Sequence, residues 1–381
     1  MGDIDDGLMD QKGLEEDWTL VESLLPQGWQ AKARELGALR RTRGVSDAGV
    51  LLRVLLIHLA HGHGLRTTSA LARQSGLAQL SDVALLKRLR GCADWFEWMA
   101  RGLRQRWMPQ PPQQQSCWRG RHIRLVDGTM VSEPGPTGSK WRLHYSVALP
   151  DLHCEEVILS GTEQGETLRR FTAHAGDVFI ADRGYAHPAG VAHVRAQGGD
   201  VVIRTNLVTL PLRDAQGQRL DVLSLLRPLQ VGEYADWPVW IKAGHKLLSG
   251  RLCAIKKGAL AAQQACRRAQ RESQRSGTQI RPETLEAAQY VFVFTTLGTE
   301  VDAANVLELY RGRWQIELAF KRLKSLVQLG HLKKNDAQAS RAWLQGKLLV
   351  ALLLDALLQT AQRISPWGYP NSALTQPMPV A

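Results

Sequence analysis

Two short apolar runs each end in an aspartate. Ile123-Arg124-Leu125-Val126 leads into Asp127, and Val178-Phe179-Ile180-Ala181 leads into Asp182. Apolar runs of this length suit strands buried inside a sheet rather than amphipathic surface strands. A carboxylate that closes such a strand points into the mouth of the sheet. A third acid, Glu317, lies in a long helical stretch, Val301–Val327. Two strands and a helix can converge three carboxylates on one point, although the residues are far apart in the chain. Hard divalent cations take oxygen ligands and are commonly shared with substrate phosphates, so the trio suggests phosphodiester chemistry.

Glu317 comes with companions. On an ideal helix of about 100° per residue, Tyr310, Arg313, Glu317 and Lys324 fall within an arc of about 60°. Leu309, Ile316, Ala319, Leu323 and Leu326 occupy the other side, so one face is a core face. A solvated charged face would explain Arg313 and Glu317 as an i, i+4 pair. It leaves Tyr310, Lys324 and the additional Lys321 unexplained, whereas a metal-binding acid among phosphate-gripping cations accounts for the whole stripe.

The spacing Tyr310, Arg313, Glu317, Lys324 resembles the YREK signature of the insertion-sequence DDE transposases of the IS-four group. Val126-Asp127-Gly128-Thr129 is similar to that family's first-acid motif, and Ala181-Asp182-Arg183-Gly184-Tyr185 to its second. The stretch from Val131-Ser132-Glu133 to His144-Tyr145 is also similar to family sequences. The resemblance covers roughly residues 50 to 355.

It implies an α/β fold. An RNase H-like mixed-sheet catalytic core would carry a largely β insertion and be preceded by an all-α N-terminal domain. The element order agrees: strand 121–127, hairpin 141–149 and 153–160, short helix 164–172, strand 178–182, helix 187–197, strand 200–204. The expected division is an acidic tail (1–17), a helical DNA-binding domain (18–107), a Pro/Gln linker (108–120), the catalytic domain (121–340) with its insertion at about 207–290, and a C-terminal helix and tail (341–381).

Charge fits a polyanionic partner. The chain has a net charge of +12 and a pI of about 9.7. Residues 1–17 run against this trend, with seven acids against Lys12 alone. Thr68–Ser75, Gly76 and Ser81–Arg90 read as helix, turn, helix, with Ser81 as N-cap and Lys87, Arg88 and Arg90 near the end. In the insertion, Lys256 and Arg268 stand among further cations around a predicted helix and are candidate phosphate contacts. Arg204, after the strand Val201–Ile203, is another. The family is thought to stack a flipped base on a Trp; Trp237 and Trp240, in one short apolar strand, are the candidates, with core packing as the alternative role for either.

Other classes find little support. Five cysteines without CxxC spacing indicate neither a disulfide framework nor a zinc site. His58, His61 and His63 lack an apparent fourth ligand. Gly135-Pro136-Thr137-Gly138-Ser139-Lys140 lacks P-loop spacing, so no nucleotide cofactor is expected. A glycosidase pair, Asp127 with Asp182, leaves the basic helix face unexplained. No apolar stretch of membrane-spanning length with charge-free flanks is read from the sequence, and a cytoplasmic, nucleoid-associated protein is expected.

The expected activity is cut-and-paste transposition, with Asp127, Asp182 and Glu317 holding two Mg²⁺ ions, Mn²⁺ substituting. The expected partners are the terminal inverted repeats of the element, target DNA, and a second copy of the chain in the synaptic complex. The rival readings are a catalytically silent DNA-binding regulator and a nuclease without strand transfer.

Overall fold

The computed structural model describes residues 18–106, 120–132, 139–149, 152–325, 327–329, 332 and 336–364. Its N-terminal part is helical, with α1 at 18–24, α2 Trp29–Glu35, α3 Ala48–Ala60, α4 Leu65–Gln74, α5 Asp82–Arg90 and α6 Ala93–Arg106. Asp47 caps α3 by accepting from Val50 N, and Ser81 caps α5 by accepting from Ala84 N at 3.2 Å. Each cap satisfies one of the unpaired amides at a helix start. Between α4 and α5 the chain passes through Gly76, whose φ of 67° lies where glycine alone moves freely. Two of the three cations of α5 have structural partners. Arg88 donates to the carbonyls of Arg41 (2.8 Å) and Arg43 (2.7 Å), and Arg90 pairs with Asp336 at 2.6 Å. Trp95 and Leu103 are buried in α6, and Trp95 Nε1 donates to Trp29 O. Trp107 lies outside the described residues.

The rest is organised by one mixed sheet. Its strands are β1 (His122–Ser132), β2 (Ser139–Ala148), β3 (His153–Gly161), β4 (Asp177–Ala181), β5 (Asp200–Arg204), β6 (Leu212–Arg213), β7 (Tyr234–Ala243), β8 (Lys246–Lys256) and β9 (Tyr290–Thr295). The spatial order is β3-β2-β1-β4-β5-β9-β8-β7-β6. Strands β1, β4 and β5 run parallel, and β9 returns antiparallel to β5. Every residue of β4 is buried, as an apolar run without alternation requires. Phe179 and Ala181 share a core with Val201, Ile203, Tyr185 and Phe294. Helix α7 (Pro188–Ala196) adds Val191 and Val194 to it. The insertion joins the same sheet through β7, β8 and β9. It also contains α8 (Val222–Leu226), α9 (Ala259–Arg275) and α10 (Pro282–Ala287).

Arg124 is the polar exception in the first apolar run, and the fold satisfies it. It reaches Glu155 (2.8 Å), Glu156 (3.1 Å) and Asp177 (3.1 Å), while His122 bridges Asp177 and Glu155. A buried charge is tolerated only with such partners.

Three expectations need correcting. The first strand does not end at Asp127 but continues to Ser132; only its parallel pairing with β4 ends there, at Leu125 with Ile180. The helix expected at 164–172 is a single 3₁₀ turn, Leu168–Arg170. The stretch 301–327 is two helices, α11 (Ala303–Arg311) and α12 (Gln315–Ser325), separated by a 3₁₀ turn at Gly312–Trp314. Glycine is a poor helix former, and a 3₁₀ turn has about 3.0 residues against 3.6, so the phase shifts across the junction.

The final helix, α13 (Ala337–Ile364), packs against α6, α3 and α5. Its Trp343, Leu344, Leu348 and Leu349 are buried. Gly346 permits the approach, because a Cβ there would stand 2.5 Å from Leu59 Cδ1 and 3.1 Å from Phe96 Cε2. Contrary to the sequence reading, Ala337–Thr360 is long and apolar enough to cross a membrane by length and composition. Of its most apolar 18-residue window 67% is buried within the protein, which accounts for the apolar residues there. The chain forms two compact units: one takes in α1–α6 and the described residues within 130–141 and from 320 onward, the other the described residues within 120–129 and 142–319.

Candidate active site

The register of the parallel strands sets the site. It pairs His122 with Asp177 and Leu125 with Ile180, so each β1 residue faces the β4 residue 55 positions later. Continued past the last pair, the same register sets Asp127 beside Asp182. The pairing of Ala181 with Ile203 likewise sets Asp182 beside Arg204. Parallel strands lie about 4.8 Å apart, so the two acids occupy one rung at the C-terminal end of the strands, where open α/β sheets bind ligands.

Both carboxylates are oriented by the glycine that follows. Asp127 Oδ1 accepts from Gly128 N at 2.7 Å, and Asp182 Oδ1 accepts from Gly184 N at 2.8 Å. Burial pushes the Asp127 carboxyl up to about 6, and the nearby charges of Asp182 and Glu166 act in the same direction against the Gly128 amide and Arg313.

Glu317 reaches this rung through a cation. Arg313 Nη1 lies 3.3 Å from Asp127 Oδ2, and Arg313 Nη2 lies 3.2 Å from Glu317 Oε1. The i, i+4 pair read from the sequence is present, extended across the site to the first acid. The expected direct convergence of three carboxylates is therefore corrected. Among the described residues, no three His, Cys, Asp or Glu side chains stand close enough to hold a metal ion. The stripe is divided between two helices, yet Tyr310 still bonds Arg313 and Arg313 still pairs with Glu317. Tyr310 is buried on α11 before the turn, whereas Glu317, Lys321 and Lys324 are exposed on α12. Ile316, Ala319 and Leu323 do form the core face of α12.

A further acid, which the sequence reading passed over, stands near the two aspartates. Glu166 precedes the 3₁₀ turn, and its carboxylate lies against the backbone beside both aspartates. A Cβ on Gly128 would stand 2.8 Å from Glu166 Oε1, and one on Gly184 would run into Glu166 Oε2. Burial and the Asp182 charge raise the Glu166 pKa, with Arg142 opposing. Beneath the acids lies Tyr185, fully buried, with no hydrogen-bond partner for Oη among the described residues. The donors are oxygen only, the type a hard divalent cation takes, but as placed here they do not stand close enough together to hold one.

A basic cleft of ≈ 1270 Å³ opens on the same side of the sheet. Arg183, Arg204, Lys257, Arg268 and Tyr310 line it, together with the acids Glu272 and Glu308. Burial pushes the Lys257 amine down to about 8, and Arg204, Arg183 and Arg268 add to the effect. Cations crowded to this degree suit an anionic ligand. Of the residues singled out from sequence, Arg204 and Arg268 fall on the cleft. Lys256 instead donates to Leu229 O at 3.0 Å, with its amine 5.8 Å from the centre of the Tyr290 ring. Trp237 packs half-buried against the core on β7. Lys257 is one of the further cations read around the predicted helix; Arg183, read only as part of the second-acid motif, was not singled out, nor was Trp314, which is 53% exposed on the turn between Arg313 and Glu317. Only its place beside that acid distinguishes it from a core tryptophan.

Residues 160–353 match the family model described as a transposase DDE domain. The chain is 36% identical over 348 residues to InsL of insertion sequence element IS186A from Escherichia coli strain K12, covering 90% of this chain and 93% of that protein. It is 36% identical over 352 residues to the transposase for insertion sequence element IS421 from Escherichia coli, with the same coverage of 90% and 93%. The transposase for insertion sequence element IS231F from Bacillus thuringiensis subsp. israelensis is 26% identical over 214 residues, 52% of this chain and 44% of that protein.

Proposed function

The chain belongs to the family of insertion-sequence transposases with a DDE domain, and from that premise we propose that it excises and inserts a DNA element by metal-dependent phosphodiester cleavage and strand transfer. The observation that carries this reading is the placing of Asp127 and Asp182 on one rung, beside a cleft walled by cations.

Asp127, Asp182 and Glu317 are the residues that would hold Mg²⁺ or Mn²⁺, and Arg313 would release Glu317 to do so. When bound, such ions supply an activated oxygen nucleophile and stabilise the departing one. The protein's own part is positional. Gly128 N and Gly184 N fix one oxygen of each aspartate, while the other oxygen of Asp127 is held by Arg313, which would have to turn away for that oxygen to meet a ligand. Arg204, Lys257, Arg183 and Arg268 would hold the phosphates of one strand along the cleft, and Arg313 and Tyr310 the phosphate nearest the cut. Water attack forms a new O–P bond and releases a 3′-hydroxyl. That hydroxyl then attacks the opposite strand to close a hairpin, which is reopened before joining target DNA. Lys321 and Lys324 extend the cationic stripe on α12, and the exposed face of Trp314 offers a surface for base stacking. Two copies of the chain would hold the paired ends.

The test uses labelled DNA carrying the element's own ends, Mg²⁺ or Mn²⁺, and Asp127→Ala, Asp182→Ala and Glu317→Ala beside the wild type. Hairpin and joined products that vanish in all three variants are expected. End binding that weakens with salt, with no metal-dependent cleavage by the wild type, would overturn the catalytic reading and favour a DNA-binding regulator. Cleavage without joined products would leave a nuclease.

A further inference from the structure

We propose that the loop 40–43 is a further DNA-binding site, in which Arg41 and Arg43 grip the phosphate backbone of duplex DNA beside the α4–α5 pair. The inference takes from the preceding reading only that the ligand is DNA; it needs neither the acids nor the cleft.

The loop is held by its backbone. Arg88 on α5 spreads its guanidinium over two of the loop's carbonyls, Arg41 O at 2.8 Å and Arg43 O at 2.7 Å. Gly44, at φ 76°, closely approaches the connection between α4 and α5: a Cβ there would stand 2.6 Å from Gln79 O and 2.8 Å from Leu80 Cδ2. A planar fork that spans two acceptors and a glycine that admits a close approach fix the loop against the helix pair at two points. Neither anchor uses a loop side chain.

The side chains are left over, and they are cations. Arg40, Arg41 and Arg43 are all exposed. Arg40 Nε lies 3.1 Å from where a Cβ on Gly37 would stand, so that side chain turns back on its own segment. Arg41 and Arg43 have no ion pair and no side-chain hydrogen bond among the described residues. Elsewhere in the same unit arginines are matched, Arg90 with Asp336 at 2.6 Å and Arg341 with Asp94 at 2.7 Å. With the Arg88 guanidinium seated on it, the loop gathers like charges that no acid answers, an arrangement that self-repulsion disfavours until an anion arrives. Lys87, next to Arg88, is a further exposed cation on α5. Backbone contacts of this kind set how a protein lies on a duplex without reading its sequence. Arg88, which acts through the loop, is a positioning residue.

The experiment is filter binding of the full chain across a salt series, in EDTA so that the outcome is independent of cleavage. One arm uses a duplex carrying the element's end, the other an unrelated duplex of equal length. Wild type is compared with the double variant Arg41→Gln, Arg43→Gln and with Arg88→Met, each first checked for its melting temperature. The double variant is expected to lower the slope of log affinity against log salt by about 1.8 in both arms, about 0.9 for each phosphate. Arg88→Met is expected to weaken binding several-fold with the slope kept, because it loosens the loop without removing the loop's charges. A wild-type slope in the double variant would overturn the site, and a loss confined to the element's end would replace backbone binding by base reading. A slope lower by about 0.9 in Arg88→Met would make Arg88 itself a phosphate contact and overturn its positioning role. Should the double variant fail to fold, phenylglyoxal labelling of wild-type arginines, read by mass spectrometry, decides. Shielding of Arg41 and Arg43 by bound DNA supports the site; equal labelling with and without DNA refutes it.

Discussion

At Arg313 one planar guanidinium holds two carboxylates, Asp127 at 3.3 Å and Glu317 at 3.2 Å. Burial works against its charge, yet Tyr310, Asp127 and Asp182 hold its pKa above the ordinary value. A fork of fixed geometry can span two acids; a lysine ammonium is a single point. Arg313→Lys is therefore expected to cut the cleavage rate by roughly 100-fold, the scale seen when one oriented donor is lost, while end binding changes little. Equal loss of binding and cleavage would mean that Arg313 only holds DNA. At the opposite end of β1, hydrogen bonds to Asp177 and then Glu155 raise the His122 pKa from 6.5 to about 9, against the effect of burial. The folded state thus binds a proton that the unfolded chain releases at lower pH. The stabilisation is complete below about 6.5 and is lost as pH rises through about 9. His122→Gln should melt several degrees below wild type at pH 6 and level with it near pH 10. A gap that stays constant with pH would show that the proton contributes nothing.

The elements decide which cations face a ligand. Lys256 and Lys257 are neighbours at the end of β8, and sequence favours neither. The strand's alternation turns Lys256 to Leu229 O and sends Lys257 to the cleft, where its amine also meets Ala288 O at 2.6 Å. Removing a cation that neutralises one DNA phosphate should lower the slope of log affinity against log salt by about 0.9. The double variant Arg204→Ala, Lys257→Ala is expected to lower it by about 1.8, and Lys256→Ala to leave it unchanged. Filter binding across a salt series checks both, and a slope lower by a full unit in Lys256→Ala would refute the assignment. The break between α11 and α12 works in the same way. Gly312 and the 3₁₀ turn bury Tyr310 on one helix and leave Glu317 exposed on the next, while Arg313 between them contacts both.

At the scale of the whole molecule, the described N-terminal helices and α13 pack in one helical unit. Trp343 and Leu348 of α13 are buried in the unit that also buries Leu55, Leu59 and Phe96. Deleting residues 337–381 should therefore unfold the N-terminal helices, seen as lost helical circular dichroism and protease cleavage within 18–106. An intact N-terminal fragment after the deletion would refute this. Much was legible without coordinates. The buried strands of the sheet centre followed from apolar runs, the α5 cap from Ser81, and the two aspartates from their place after those runs, because strand burial and capping are local consequences of residue type. The strand ends, the helix break and the role of each lysine were not legible, since several local patterns are compatible with them. Glu166 was missed for the same reason: a lone acid in a loop carries no signal until the fold lays it against Gly128 and Gly184. The sequence by itself determined the family and the basic charge, both properties of residue type and order. Only the tertiary structure decided which acids share a rung, because a register between strands that are distant in the chain is set by packing over the whole sheet rather than by any one segment.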